Sequence, residues 1–428
     1  MKQLQWAATA AIAMMIGMNI SCSHEMYDEK EAQNLYDSIS PVDTVDLNHT
    51  WQLTKEKTLI VQAPDSGGTQ RVKILTANPR TTGTAEVVGE GWASAGELFQ
   101  MSISYPATTS TLYAALVDEE ERYSIVEFSP DTESSIAFTN LVVDHEKLSY
   151  DPQPQQYTYC FEDAYPLPGD FDYNDVVMRI SQARTGEREL RLTVELAAVG
   201  TLKSASAAIR LTGFNVSDIA SVTTVDSLSF NTTNGRDVSD QVLTILKDKD
   251  FLQTGLHSEA VIGLFCDVHW ATGDLLEADF GQLSPLKTYN VSKSSGTNQA
   301  QFDGRTVTYI ITFKSGSALN TFSMDELDPF IMVMYNGGIF EVHQFKYRTV
   351  QALYEYFSST IKTLPWAFCI PKKDFRWPLE GVNIGFIMKA SHTYGAYQTN
   401  SHSFGEWAMD RTRALDWYEY PTGNQVFY

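Results

Sequence analysis

Between Gly169 and Val176 the chain sets Asp170, Asp172, Asn174 and Asp175 into one short loop, with Glu162 and Asp163 close upstream. Alternating carboxylate and amide oxygens in a tight turn suit a hard cation. Calcium takes roughly six to eight oxygen ligands at about 2.3–2.6 Å, and a single loop can supply several. The spacing imitates the first half of an EF-hand and then departs from it. Counting from Asp170, the sixth position holds Asp175 where the sharp turn needs Gly, and the twelfth holds Ser181 where a bidentate Glu belongs. A second chemistry competes on the same residues: an Asx-turn loop, in which carboxylates accept backbone N–H groups and no metal is involved. Residue types alone leave the two open.

The elements that must carry this loop read as strands. Val176-Val-Met178 follows it directly, and Leu190, Leu192, Val194 and Leu196 alternate with polar residues at the period of a half-buried strand, as do Val307, Tyr309, Ile311 and Phe313. Upstream, Lys57–Gln62, Arg71–Leu75, Thr111–Val117 and Tyr123–Phe128 are separated by turn residues, the rhythm of a β-sandwich. The fold class is therefore mainly β. An N-terminal β-sandwich spans 46–143, a proline-bearing linker 144–156, and a larger sandwich or jelly-roll-like domain with few short helices 157–428. Val242, Leu243 and Leu246 hint at one short helix. Ser403-Phe-Gly-Glu406 predicts another, capped by Ser403, with Phe404, Trp407, Ala408 and Arg411 on one side.

Composition narrows the function classes. A formal net charge of −22 argues against a nucleic-acid partner, because nothing basic offsets phosphate repulsion. Residues 1–21 read as a signal peptide, with an apolar run from Trp6 to Met18 too short to span a bilayer. The Ser21-Cys22 junction resembles a bacterial lipobox, which makes Cys22 the lipidation site, and the acidic stretch 23–31 resembles the export tags of Bacteroidetes surface lipoproteins. Residues 22–45 are then a tether, in which Glu29–Ile39 offers a weak helical turn or two but polar content argues for mobility; the lipid is the sole membrane contact, and the location is the outer membrane or cell surface. Cys160, Cys266 and Cys369 show no zinc or redox spacing and are expected as free thiols.

No nucleophile elbow, zinc-protease, Walker or dinucleotide motif is present. The expectation is a non-catalytic binding or structural module with a surface ligand, glycan or protein. A fimbria-like appendage subunit and a glycan-acting enzyme stand as alternatives. Residues 365–428 hold 14 of the 51 aromatics, so Trp366, Trp377, Tyr394 and Tyr397 are candidates for stacking on sugar rings. Filling a core is the competing use of the same side chains.

Phe161-Glu-Asp163 followed by Gly169-Asp-Phe-Asp-Tyr-Asn-Asp-Val-Val177 resembles the FED…GDxDxND signature of LruC-type domains, found in secreted or lipid-anchored Bacteroidetes proteins. The likeness extends through Ala208–Phe214 with Val216–Val222, Leu327–Ile331, Ile339–His343, Leu364–Pro371, Phe375–Pro378 and the Tyr394–Trp407 stretch, covering about 150–428. It implies a β-rich extracellular domain of no established activity and supports calcium at the acidic loop.

Overall fold

The computed structural model describes residues 29–138, 146–225, 252–272, 287–350, 364–387 and 402–427, apart from isolated loop positions, together with 232–233 and 236–237. The signal segment with Cys22, the helix expected around Val242, Leu243 and Leu246, and Tyr394 and Tyr397 lie outside the described residues.

Strands β1 (Thr54–Gln62), β4 (Leu98–Pro106) and β7 (Ser135–Ala137) form one sheet in the order β4-β1-β7. Facing it are β2 (Gln70–Leu75), β3 (Val87–Ala93), β5 (Leu112–Val117), β6 (Arg122–Phe128) and β8 (Glu146–Lys147), in the order β3-β2-β5-β6-β8. Alternate side chains of each strand meet in a shared core, with Leu59, Val61, Met101 and Ile103 against Val72, Ile74 and Ala114. Sequence patterning passes over β3 because Gly89 and Gly91 interrupt it. The structure needs those glycines: a Cβ on Gly89 would lie 2.5 Å from Ile103 Cγ2, so the two sheets touch there.

The second sandwich is larger. Its first sheet runs β13-β20-β11-β10-β9-β23, comprising Ile219–Thr224, Arg305–Phe313, Glu189–Val199, Val176–Gly186, Tyr157–Phe161 and Ala367–Ile370, with the short β18 (Thr288–Tyr289) and β19 (Gln299–Ala300) attached. The opposite sheet runs β16-β17-β12-β21-β22, comprising Leu252–Thr254, Glu259–Phe265, Ala205–Asn215, Leu327–Tyr335 and Gly338–Val342. A small ladder of β14 (Thr232–Thr233) and β15 (Arg236–Asp237) stands apart. Leu190, Leu192 and Val194 pair with Ile311, Tyr309 and Val307, so both alternating stretches face one core. Pro329 sits on the part of β21 that β22 does not reach, since β22 pairs only Ile331–Tyr335; its missing N–H is tolerated on an open edge.

The outer face of the first sheet carries a third layer. Val177, Ala198, Phe368 and Ile370 are covered by Trp407, Trp417, Phe404 and Trp51. The helix Phe404–Met409 is capped as expected, Ser403 Oγ accepting from Glu406 N, but it stops before Arg411.

Two stretches expected as loose are structured. Residues 29–39 of the predicted tether form an 11-residue helix. Tyr36 is buried and its hydroxyl donates to Pro166 O at 2.7 Å, so one aromatic anchor docks a helix whose other residues are mostly polar. Residues 46–53, assigned by sequence to the first sandwich, continue this strap across the third layer through Trp51 and Leu53. The predicted linker is likewise stitched down. β8 pairs β6, Val87 bridges Pro154, and Gln155 donates to Pro371 O at 3.1 Å. Direct bonds join the sandwiches, with Tyr157 Oη donating to Ser104 O at 2.8 Å and Arg184 N to Glu90 at 2.9 Å.

His49 pins the strap. Its Nε2 donates to Trp407 O at 2.8 Å while its Nδ1 accepts from Trp51 N at 2.9 Å, and its ring stacks on Trp51 at 3.9 Å. Only the neutral tautomer satisfies both bonds, and burial pushes its pKa down to about 4. The unfolded chain takes up this proton near pH ~6.5 and the folded one does not. Stability is therefore complete above that value and declines as pH falls toward 4. Urea unfolding should show a loss of about 2–3 kcal/mol from this group, and His49→Gln should flatten the slope. An unchanged slope in the variant would refute the assignment.

Candidate functional site

The acidic loop joins β9 to β10 and is built on two inverted aromatics. Phe171 and Tyr173 adopt φ of 59° and 53°, left-handed conformations that cost roughly 1–3 kcal/mol each outside glycine. Burial holds them there. Both rings are buried; Tyr173 Oη donates to Pro365 O at 2.7 Å, and its ring packs on Phe368 at 4.3 Å. Glu162, immediately after β9 and only 1% exposed, lies beneath the loop and accepts from Tyr173 N at 2.7 Å and Phe171 N at 3.4 Å. Gly169 admits it, because a Cβ there would fall 1.7 Å from Glu162 Oε2.

Asp172, also 1% exposed, accepts from Asn174 N at 3.1 Å and from Gly381 N at 2.7 Å. The first is the Asx turn that the sequence allows. The second comes from the third layer and has no sequence signal, being 209 residues away. Asn174 is fully buried; its Nδ2 donates to Pro378 O at 3.0 Å and its Oδ1 has no hydrogen-bond partner. Asp175 accepts from Asp163 N at 2.7 Å, and Asp163 is engaged by Lys203 at 2.7 Å and by the Thr201 hydroxyl.

The predicted residues thus divide. Glu162, Asp170 and Asp172 bring one oxygen each to within 4.8 Å of one another, whereas Asp163 and Asp175 tie the loop to its surroundings. Glu380, beside Gly381, is an acid that sequence reading missed; its carboxyl is pushed up to about 7 by burial and by Asp170 and Asp163. Burial, reinforced by mutual repulsion, also holds Glu162, Asp172 and Asp175 well above the carboxylate range. Asp170 is solvent-exposed but ringed by protein, and its carboxyl is raised too, first by desolvation.

The donor set fits calcium. Two ligand oxygens on opposite sides of the ion lie at most about 5 Å apart, and the three carboxylates converge within that span. Their hydrogen bonds do not exclude it, since an ionised carboxylate has about four acceptor sites.

The aromatic expectation is corrected. Trp377 is 3% exposed; its ring is stacked on Phe427 at 5.6 Å and faced by the Arg179 guanidinium at 5.2 Å. Trp366 is partly buried, wedged edge-on against Tyr165 at 4.9 Å and Tyr36 at 6.1 Å, with its indole donating to Leu167 O. Both pack the third layer rather than present a platform to sugars. Cys160, Cys266 and Cys369 are free thiols, and His402 pairs with Asp416 at 2.9 Å.

These features define a mainly-β protein of two joined sandwiches, with an acidic loop clamped beneath a third, aromatic layer. The chain belongs to the family described as Domain of unknown function (DUF4842), matched over residues 188–418. The acidic loop lies just before that span. No curated protein matches the chain in sequence. Among solved structures it is similar to a "Putative lipoprotein" from Bacteroides ovatus, with 14% identity, a TM-score of 0.48, and coverage of 83% of this chain and 98% of that one.

Gly200 tests the packing behind the loop. A Cβ there would lie 2.2 Å from Asn174 Oδ1 and 2.8 Å from Asn174 O. Gly200→Ala should cost about 2–3 kcal/mol in denaturant unfolding. Gly83→Ala, with nothing within 4 Å of its Cβ, should stay within about 0.5 kcal/mol. Equal effects would show that the close approach is not a constraint.

Proposed function

We propose that this chain is a lipid-anchored, LruC-type cell-surface protein acting as a non-catalytic binding or structural module, and that its acidic loop holds calcium. The observation carrying the metal assignment is the convergence of Glu162, Asp170 and Asp172 within 4.8 Å. The ligand set is those residues, with Asn174, Asp175, Asp163 and Glu380 around them. Burial argues for a structural rather than a catalytic ion. Glu162 and Asp172 are each 1% exposed, out of reach of a glycosidic bond, so they serve poorly as a glycosidase pair. The lipid anchor is assigned to Cys22 from the lipobox resemblance. Among the described residues no helix is long and apolar enough to cross a membrane.

Purified, metal-stripped protein should gain thermal stability on adding millimolar calcium, because a ligand that binds only the folded state contributes about 2.7 kcal/mol at a hundred times its Kd. Asp172→Ala and Glu162→Gln should each abolish the gain, and Glu162→Gln keeps the acceptor for Tyr173 N. An unchanged midpoint for the wild-type protein would sink the calcium assignment.

The pH dependence follows with the opposite sign to that of His49. Carboxyls with raised folded-state pKa values bind more protons folded than unfolded. Metal-free stability should therefore be greatest below about pH 4 for these groups and be lost as pH rises through their folded-state pKa values. Saturating calcium should remove or reverse that loss in scanning calorimetry across pH. Parallel curves with and without calcium would contradict the assignment.

A further inference from the structure

The outer face of the sheet β16-β17-β12-β21-β22 carries a row of buried charges where its edge strand ends. Arg210 on β12 stands directly opposite Asp328 on β21 and donates to its Oδ2 at 2.7 Å. His343, the residue after β22, meets that same oxygen through Nδ1 at 2.8 Å, and its Nε2 meets Glu341 Oε2 at 3.2 Å. Its ring stacks on Phe330 at 4.5 Å. A neutral imidazole has one N–H and serves only one of the two carboxylates, leaving its bare nitrogen against the lone pairs of the other. Both contacts are hydrogen bonds only in the imidazolium, which also brings the row of Arg210, His343, Asp328 and Glu341 to charge balance. Burial opposes the charge on His343, but Asp328 and Glu341 together outweigh it and hold the ring's pKa above its ordinary value. From the following segment Tyr347 places its ring 5.8 Å from Arg210, while Lys346 is directed to Asp325 and Glu326 to Ser323. Cys266, on the same outer face, stays a neutral thiol, its pKa pushed up to about 12 chiefly by burial.

We propose that protonated His343 is a latch that holds the edge strand β22 onto β21 and opens when the ring loses its proton. Among the described strands β22 is the last in its sheet and pairs only with β21, over Ile331–Tyr335, so one short ladder is all that its backbone contributes. The imidazolium ties the end of that ladder, from Glu341 on β22 to Asp328 on β21 and on to Arg210 two strands in. Loss of the proton sets Glu341 beside a bare nitrogen and leaves the row one charge negative in a largely desolvated place. The opened segment binds its proton with the ordinary value of about 6.5. The latch is therefore complete below that pH and is lost as pH rises through the higher folded-state value, the opposite sign to His49. The row shares no residue with the acidic loop and does not depend on calcium.

The test uses the intact mature chain carrying isotope-labelled histidine. NMR titration of the His343 ring, identified by its absence in His343→Gln, should give a midpoint above the ordinary value of about 6.5. Hydrogen exchange, corrected for the intrinsic rate, should show opening of 338–342 rising by up to about tenfold per pH unit above about pH 6.5 and levelling past that midpoint. Exchange of β20 should not follow. Glu341→Gln should lower the midpoint, and His343→Gln should abolish the rise with pH. A midpoint at or below the ordinary value, an unchanged midpoint in Glu341→Gln, a rise that persists in His343→Gln, or equal opening of β20 would each overturn the proposal. Should His343→Gln fail to fold, Glu341→Gln decides alone, because Gln keeps an acceptor oxygen for Nε2 and removes only the charge.

Discussion

The carboxylate of Asp172 cannot be satisfied by its own loop. One oxygen closes an Asx turn on Asn174 N, and the other takes the N–H of Gly381, from the far end of the chain. Two further bonds run in parallel, from Asn174 Nδ2 to Pro378 O and from Ile384 N to Phe171 O. The loop and the 378–384 segment therefore define each other's position. A buried carboxylate left without donors would carry its full desolvation penalty, so the loop adopts this shape only when the third layer is in place.

That dependence explains the composition of the layer. Phe171 and Tyr173 hold left-handed backbone at a cost, and the compensation is burial beneath Phe368, Ile384 and their neighbours. The same aromatic cluster takes in Trp51 and Tyr36 from the N-terminal strap. Strap, C-terminal block and acidic loop thus share one core. Its rings are used for packing, which is why an aromatic-rich C-terminal sequence yields so little exposed ring surface at Trp366 and Trp377.

Much of the scaffold was legible because period-2 alternation survives wherever one strand face is buried. Leu190–Leu196 and Val307–Phe313 declare themselves, and the Asp-rich loop is visible as a run of like residue types. What stayed hidden is of two kinds. β3 is broken by glycines that close sheet contact requires, so the feature that makes it pack erases its pattern. Glu380, Gly381 and Lys203 reach the site through tertiary contact, and no local spacing records a partner 209 residues distant. The strap was misjudged for a related reason: a helix with one buried aromatic, Tyr36, is polar by composition and ordered by context.

In this loop the turn geometry and the proposed metal do not exclude each other. Backbone donors to Glu162 and Asp172 orient the carboxylates, and orientation is what brings their oxygens within 4.8 Å. Those same donors are neutral dipoles and cannot cancel several like charges held close together in a partly desolvated space. Lys203 is directed to Asp163, at the edge of the group. The hydrogen bonds therefore build a shape whose remaining electrostatic cost would fall with protonation or with a cation, and a divalent ion at the proposed site would leave each of those backbone bonds in place.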